Sequence, residues 1–150
     1  MFDIFLTNEV VDELDPDVKA VYGKIQIGDF SETLIASLVS WDRMQYERHW
    51  ASAIRRILEG QERSALITSF VQPPLSRHLV WWPMFRDCET VHVRQQLLFF
   101  DQLAQPFSVE DPWDFIGERI HSSSDGSKIS EWTLPIEDME AYLRRNANEG

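Results

Sequence analysis

The sequence predicts an α+β fold, a mostly antiparallel twisted β-sheet with one long helix and two shorter helices. Three observations predict it. Short runs of β-branched and aromatic residues recur, turn residues such as Gly, Asp and Pro separate them, and one long segment repeats apolar residues every three or four positions. The chain has 150 residues, no internal repeat and no long linker, which indicates a single domain over residues 1–150.

The N-terminal part is predicted to contain two strands. Residues 1–6 are apolar enough to pack against the rest of the fold, whereas residues 8–17 are acidic and predict an exposed loop. Residues 21–27 alternate polar and apolar side chains, as a half-buried strand does, and residues 32–39 predict a second strand.

A long helix is predicted over residues 41–59. Ser40 is the expected N-cap, because its hydroxyl can accept a hydrogen bond from the first turn, and Gly60 suits the left-handed position after the last turn. The predicted apolar face consists of Tyr46, Trp50, Ala53, Ile54, Ile57 and Leu58.

Three strands are expected in the middle of the chain, over residues 64–71, 78–86 and 90–100. A tight turn joins the last two strands, so they should form a hairpin. Pro83 has no N–H to donate to a neighbouring strand, which predicts that it lies at a sheet edge or a bulge.

The C-terminal part predicts a helix, a strand and a second helix. Ser108 and Asp111 match a capping box that opens a short helix over residues 109–119. Residues 128–133 predict a short strand, and a proline at the first helical position predicts a final helix over residues 135–145.

Charge is the most informative property of the composition. The chain carries 25 acidic and 14 basic residues, which gives a formal net charge of −11. Binding to nucleic acid depends on Lys and Arg side chains that displace counterions from phosphates, so this balance argues against a direct nucleic-acid partner. An acidic chain is instead suited to a basic protein, because complementary fields accelerate the encounter.

We expect a cytoplasmic protein without a membrane segment. The longest stretch free of Asp, Glu, Lys and Arg covers residues 64–76 and contains two prolines, whereas a spanning helix needs about 20 apolar residues. The acidic N-terminus does not resemble a secretory signal. Cys88 has no second cysteine to pair with, which fits a reducing compartment.

The sequence offers no catalytic, cofactor or metal motif, so we expect a protein that is not an enzyme and needs no cofactor. The four histidines, His49, His78, His92 and His121, lack metal-ligand spacing. Cys88 lies between two acidic residues, which disfavour the thiolate that a nucleophile requires.

One alternative comes from the aromatic residues of the predicted hairpin. A sheet that exposes aromatic rings beside a basic groove can stack unpaired bases, so the chain could be a single-stranded nucleic-acid binding module. The basic residues of this region form only a weak groove, and adjacent Trp residues must point to opposite faces of a strand. The rings concerned are Trp81, Trp82, Phe85, Phe99 and Phe100.

Several motifs together resemble a known family. The most specific is the run Asp-Gly-Ser-Lys-Ile-Ser-Glu-Trp over residues 125–132, preceded by Arg119. Weaker matches are the Met-Phe and Ile-Phe pairs within residues 1–5, Trp41 with Tyr46 and Trp50 on the long helix, and the Ser-Ala-Leu at residues 64–66. In this order along the chain they resemble the immunity proteins of bacterial contact-dependent growth-inhibition systems, in the branch typified by Enterobacter cloacae.

The resemblance implies a function and a fold. An immunity protein of this family binds the C-terminal toxin domain of a large CdiA effector and neutralises it in cells of the same strain. In the branch concerned, the toxin is a nuclease that acts on ribosomal RNA, and the immunity protein has a fold similar to the Whirly family. The resemblance therefore implies a cytoplasmic one-to-one complex with a basic nuclease, in which the acidic inhibitor keeps RNA from the toxin.

Two acidic surfaces are candidates for the toxin contact. We favour the region after Phe100, because it mixes acids with aromatic side chains, over the acidic loop formed by Asp12, Glu13, Asp15 and Asp17. The predicted contact residues are Asp101, Glu110, Asp111, Trp113, Asp114 and Glu118.

The family motif itself is interpreted as architectural. A turn followed by a short strand is what a folded core needs, and Ser130 and Glu131 are placed to brace Arg119. The residues of this structural motif are Arg119, Asp125, Gly126, Lys128, Ser130, Glu131 and Trp132.

Overall fold

The computed structural model describes residues 1–11, 19–73, 75–119 and 130–147. Within these ranges the chain forms the strands and helices β1 (Phe2–Val10), β2 (Ala20–Ile27), β3 (Phe30–Ser37), α1 (Arg43–Leu58), β4 (Arg63–Ser69), β5 (His78–Asp87), β6 (Thr90–Val93), β7 (Gln96–Phe99), β8 (Trp132–Pro135) and α2 (Ile136–Ala147). They build two antiparallel sheets. One has the order β1-β2-β3, and in the other β4, β5, β6 and β8 are neighbours while β7 also pairs with β5.

The three-stranded sheet contains a strand that the sequence did not predict. Phe2, Ile4 and Leu6 alternate inward on β1 and are buried. The apolar alternation stops there, which is why the sequence indicates a loop from residue 8. Pairing with β2 nevertheless continues through an irregularity to Val10, so the loop prediction is wrong for residues 8–10, and residues 12–17 lie outside the described ranges.

Proline explains the irregularity of the five-stranded sheet. Pro83 lies in the central strand β5 and pairs in register with Ala65, so the prediction of a sheet edge or a bulge at this residue is wrong. The Arg94 N–H donates to the Pro83 carbonyl at 2.9 Å, but Pro83 has no N–H to return a bond. The ladder is interrupted at this point, and the single strand predicted over residues 90–100 becomes β6 and β7 in one continuous register.

Helix α1 lies along the outer edge of β4 and bonds to its backbone. Trp50 Nε1 donates to the Ile67 carbonyl at 2.8 Å, and the Ile67 N–H donates to His49 Nε2 at 2.8 Å. The Phe70 N–H donates to Tyr46 Oη at 3.0 Å. Because β4 is the terminal strand of its sheet, these side chains satisfy backbone groups that no neighbouring strand reaches.

The start of α1 differs from the prediction. Asp42 is the N-cap, and its side chain forms a capping box with Gln45. The Ser40 hydroxyl instead accepts from the Gln72 N–H at 2.8 Å. Gly60 follows the last turn with a φ of 101°, the left-handed conformation that the sequence predicted for it.

The helix predicted over residues 109–119 is wrong, because this segment contains only a 3-10 turn at Pro112–Phe115. Proline disfavours a helical conformation of the residue before it, and Asp111 makes no side-chain cap. A second 3-10 turn covers Phe100–Gln102.

The end of the chain follows the predicted order with shifted bounds. Pro135 is the last residue of β8, so the final helix begins one residue later than predicted. The strand predicted over residues 128–133 is observed at Trp132–Pro135, and residues 128 and 129 lie outside the described ranges.

Both faces of the five-stranded sheet are covered. Adjacent residues of a strand point to opposite faces. Trp82 packs against Phe30 of the three-stranded sheet, whereas Trp81 packs against Phe107 in the segment after β7. Phe30 also stacks on Trp132 of β8 at 4.2 Å, which joins the two sheets in one hydrophobic core.

Helix α2 closes the structure against β1. The Tyr142 ring meets the Phe2 ring edge to face at 5.4 Å, and Arg145 donates to the Phe2 carbonyl. In the described part of the chain, neither helix is both long and apolar enough to cross a lipid bilayer.

The seam between α1 and β4 predicts a pH-dependent stability. Burial lowers the pKa of His49 from 6.5 to about 3, opposed by its hydrogen bond to the Ala65 backbone. Between these values the unfolded chain takes up a proton that the folded chain excludes. The neutral His49 ring therefore makes its full contribution to the free energy of unfolding above pH 6.5. This contribution is lost by up to about 1.4 kcal/mol per pH unit as the pH falls towards 3.

We expect His49→Gln to flatten this dependence, because an amide can accept the Ile67 N–H without titrating. Urea unfolding between about pH 7 and pH 4.5 measures the slope. His78→Gln, which removes a half-buried histidine of β5, is the matched control. Equal changes of slope in the two variants would show that His49 is not the group responsible.

Candidate functional site

The predicted contact residues lie on one segment, residues 100–119, which we call the acidic segment. It crosses the face of the five-stranded sheet that the three-stranded sheet leaves free. Phe107 and Phe115 are half-buried and pack against the core, and Arg63 of β4 donates to the Ile116 carbonyl at 3.2 Å. The carboxylates on the solvent side are all exposed: Asp101, Glu110, Asp111, Asp114 and Glu118.

Trp113 is held by α1 and is not a free anchor. Its ring stacks on His49, with 5.8 Å between centroids and 9° between planes, and the Arg56 guanidinium lies 5.2 Å from its centroid. The indole is half-buried as a result. The same histidine that bonds to β4 therefore also positions the acidic segment.

Two cavities flank the acidic segment on opposite sides of this contact. One, the Trp113 cavity, has a volume of about 450 Å³ and is lined in part by Arg56, Arg63 and Asp114. The other, the aromatic cavity, has a volume of about 510 Å³ and lies between the start of α1, the end of β4 and the first half of the acidic segment. Sequence reasoning missed the aromatic cavity, because its walls come from three distant stretches of the chain.

Seven arginines of the described chain are bound within the protein. Five arginines donate to backbone carbonyls, namely Arg43, Arg56, Arg63, Arg86 and Arg145. Among the described residues, only Asp3, Glu131 and Asp138 form ion pairs within 4.0 Å. The carboxylates of the acidic segment form none with these residues, so their charge faces solvent.

The end of the acidic segment is fixed by a cluster centred on Glu131. Arg119 donates to this carboxylate at 2.6 and 3.0 Å, and Arg94 donates to it at 2.7 Å. These bonds, chiefly the one from Arg119, lower the pKa of Glu131 from 4.5 to about 2. Trp132 enters the core, Ser130 is exposed, and Asp125, Gly126 and Lys128 lie outside the described ranges.

The residues considered for other functions are placed differently. Trp81, Trp82 and Phe85 are buried, so most of the aromatic face of the nucleic-acid alternative is not available to stack bases. Cys88 is exposed in the β5–β6 turn. Among the described residues, no group of three His, Cys, Asp or Glu side chains is arranged to hold a metal ion.

Comparisons with known proteins agree on one family. The family model described as the CdiI N-terminal domain matches residues 36–142. The chain is 31% identical over 132 residues to the immunity protein CdiI of Enterobacter cloacae subsp. cloacae, an alignment that covers 88% of this chain and 89% of that protein.

A solved structure gives the same result. A chain from the CdiA-CT/CdiI toxin and immunity complex of Enterobacter cloacae matches with a TM-score of 0.87 and 28% identity, over 99% of both chains. This confirms the predicted α+β fold. The likeness to the Whirly family stays a prediction.

The Glu131 cluster predicts a second effect of substitution. Glu131→Gln removes the charge that Arg94 and Arg119 share, and we expect it to lower the free energy of unfolding by about 1.5–3 kcal/mol at neutral pH. The carboxylate contributes fully above pH 4.5 and loses its contribution as the pH falls towards 2. The difference between the proteins should therefore shrink in acid.

Urea unfolding checks this expectation, with Glu118→Gln as the control because Glu118 is exposed and belongs to the acidic segment. A Glu131→Gln protein as stable as the Glu118→Gln control at neutral pH would contradict the bracing role.

Proposed function

Because this chain belongs to the CdiI immunity protein family, we propose that it binds and neutralises the C-terminal toxin domain of a cognate CdiA effector in a one-to-one complex. The toxin would be a basic nuclease that acts on ribosomal RNA in the cytoplasm. The observation that carries the proposal is the likeness, over nearly the whole of both chains, to a chain of a toxin and immunity complex. The chain would act as a single immunity domain.

The charge distribution supports this function. A nuclease that binds RNA must present a basic cleft to the phosphates. The exposed carboxylates of the acidic segment form no ion pairs with other described residues, so they are free to meet that cleft. Complementary fields of this kind can raise association rates to about 10⁸–10⁹ M⁻¹s⁻¹. Rapid capture matters because the toxin enters a cell that is full of ribosomes.

Inhibition then needs no catalysis by this chain. An acidic protein that covers the basic cleft excludes RNA by occupancy and by repulsion, so neither a cofactor nor a metal ion is required. The protein would remain effective for as long as the complex lasts, which makes the dissociation rate as important as the association rate.

Co-purification tests the function directly. The probe is the C-terminal fragment of the effector that is encoded immediately upstream. This fragment and the present chain are produced together, and one of the two carries an affinity tag. We expect a stable complex of one chain of each, and we expect this chain to restore growth of cells that express the fragment. Firm binding of RNA at low salt, without capture of the fragment, would overturn the proposal in favour of the nucleic-acid alternative.

The acidic segment provides a kinetic prediction. Charge reversal at Asp111 and Asp114, both to Lys, is expected to slow toxin association about tenfold or more at low salt and to weaken its salt dependence, because steering by charge acts before contact. Stopped-flow mixing at several ionic strengths measures both effects. Charge reversal at Glu137 and Glu140 on α2, which are also exposed, is the matched control. If association is the same for both double variants, the acidic segment is not the steering surface.

A further inference from the structure

We infer that the aromatic cavity is the anchor site of the complex and that it receives an arginine side chain of the toxin. This inference rests on the proposed function and adds to it the place and the chemistry of the central contact. It moves the anchor from Trp113, which is packed against α1, to the other side of the acidic segment.

The cavity has aromatic walls and no charged lining residue. Trp41, Phe70, Phe100 and Phe107 line it, together with uncharged residues that include Gln45 and Gln72. Its volume of about 510 Å³ is within the range of protein ligand sites. Aromatic faces attract a cation through their negative quadrupole, and a guanidinium, being planar and weakly hydrated, stacks on them well.

The walls are preformed. Phe107 lies 5.4 Å from Phe100 and 6.2 Å from Phe70, measured between ring centroids, and Trp41 lies 5.2 Å from Phe70. Trp41 and Phe70 are buried and support the wall from behind, and the rings that a partner can contact are the half-buried Phe100 and Phe107. A partner that enters such a site does not have to order the rings that it contacts, which favours a long-lived complex.

Three exposed carboxylates are adjacent in sequence to lining residues of the aromatic cavity, namely Asp42, Asp101 and Glu110. Alpha carbons of neighbouring residues are about 3.8 Å apart, so the backbone that carries these charges lies next to the cavity wall. An arginine whose methylene groups lie between the rings would therefore contact an apolar wall and would have negative charge nearby.

Three other cavities are each lined by at least one arginine, together with one or two carboxylates. The Trp113 cavity already contains Arg56 and Arg63. The groove between β1, α1 and α2, of about 630 Å³, is lined by Arg48 and Arg55, and a smaller cavity beside β6 and β7 is lined by Arg94. Of these four, the aromatic cavity is the one that lacks an arginine of its own, and this singles it out for the arginine of a basic partner.

A pair of matched substitutions tests the inference. Gln72 and Gln61 are both exposed glutamines, one lining the aromatic cavity and the other the Trp113 cavity. Gln72→Lys and Gln61→Lys change the net charge equally, so both should slow association to a similar extent. We expect Gln72→Lys alone to speed dissociation of the toxin fragment by about tenfold or more, because only it places a cation in the anchor site.

Removal of carboxylate charges next to the aromatic cavity provides a second, independent measurement. Asp101→Asn with Glu110→Gln removes two charges beside the aromatic cavity, and Asp114→Asn with Glu118→Gln removes two charges elsewhere on the same segment. We expect faster dissociation from the first double variant only. Thermal unfolding of all four proteins checks that each is folded.

The outcomes separate this inference from the function beneath it. If wild-type protein fails to bind the toxin fragment, the proposed function fails. The function stands and the anchor site is refuted if wild-type protein binds and two results are obtained. The Gln72→Lys variant dissociates as fast as the Gln61→Lys variant, and the two double variants also dissociate at equal rates. Faster dissociation only of Gln61→Lys and of the double variant of Asp114 and Glu118 would also refute the inference. That result would place the anchor at Trp113.

Discussion

The rest of the structure depends on how the free edge of β4 is satisfied. A terminal strand presents unpaired N–H and C=O groups, which must find partners when they are buried. Helix α1 supplies them from Tyr46, His49 and Trp50, which helical spacing places on one face. His49 can accept the Ile67 N–H only as a neutral ring, and burial keeps it neutral. The same ring stacks on Trp113, so one seam holds the sheet, the helix and the acidic segment together.

Most elements could be predicted because burial imposes a periodicity on the sequence. Helix α1 and strands β2 to β5 were predicted to within a few residues from spacing, from β-branched and aromatic runs, and from the cap and turn residues between them. The errors arose where long-range pairing overrides local pattern. Strand β1 continues past its apolar alternation because β2 provides a partner, and the interruption between β6 and β7 depends on Pro83 of a different strand. The residues around Pro112 satisfied a capping pattern that the proline itself prevents from propagating.

The candidate site could be predicted only in part, for a related reason. Charged side chains that have no partner inside the protein remain in water, so the carboxylates of the acidic segment are exposed as composition suggests. An aromatic ring has no such constraint. Trp113 and Phe107 share one short segment, yet one packs against a helix and the other joins a cavity wall with Trp41 and Phe70. The density of aromatic residues from residue 99 to 115 was the available signal, but it does not specify which rings meet.

The separation between exposed carboxylates and internally bound arginines has a kinetic consequence for an inhibitor. Acidic residues outnumber basic residues by 25 to 14, and the carboxylates of the acidic segment form no ion pairs with other described residues, so the protein keeps a strong negative field. Such a field accelerates encounter, but charges more than about 10 Å from the contact are screened and contribute little once the partners touch. A long lifetime of the complex requires contacts that exclude water. An uncharged aromatic cavity beside the acidic segment meets that need, because the charges that attract a cation and the rings that retain it then act on the same side chain in succession.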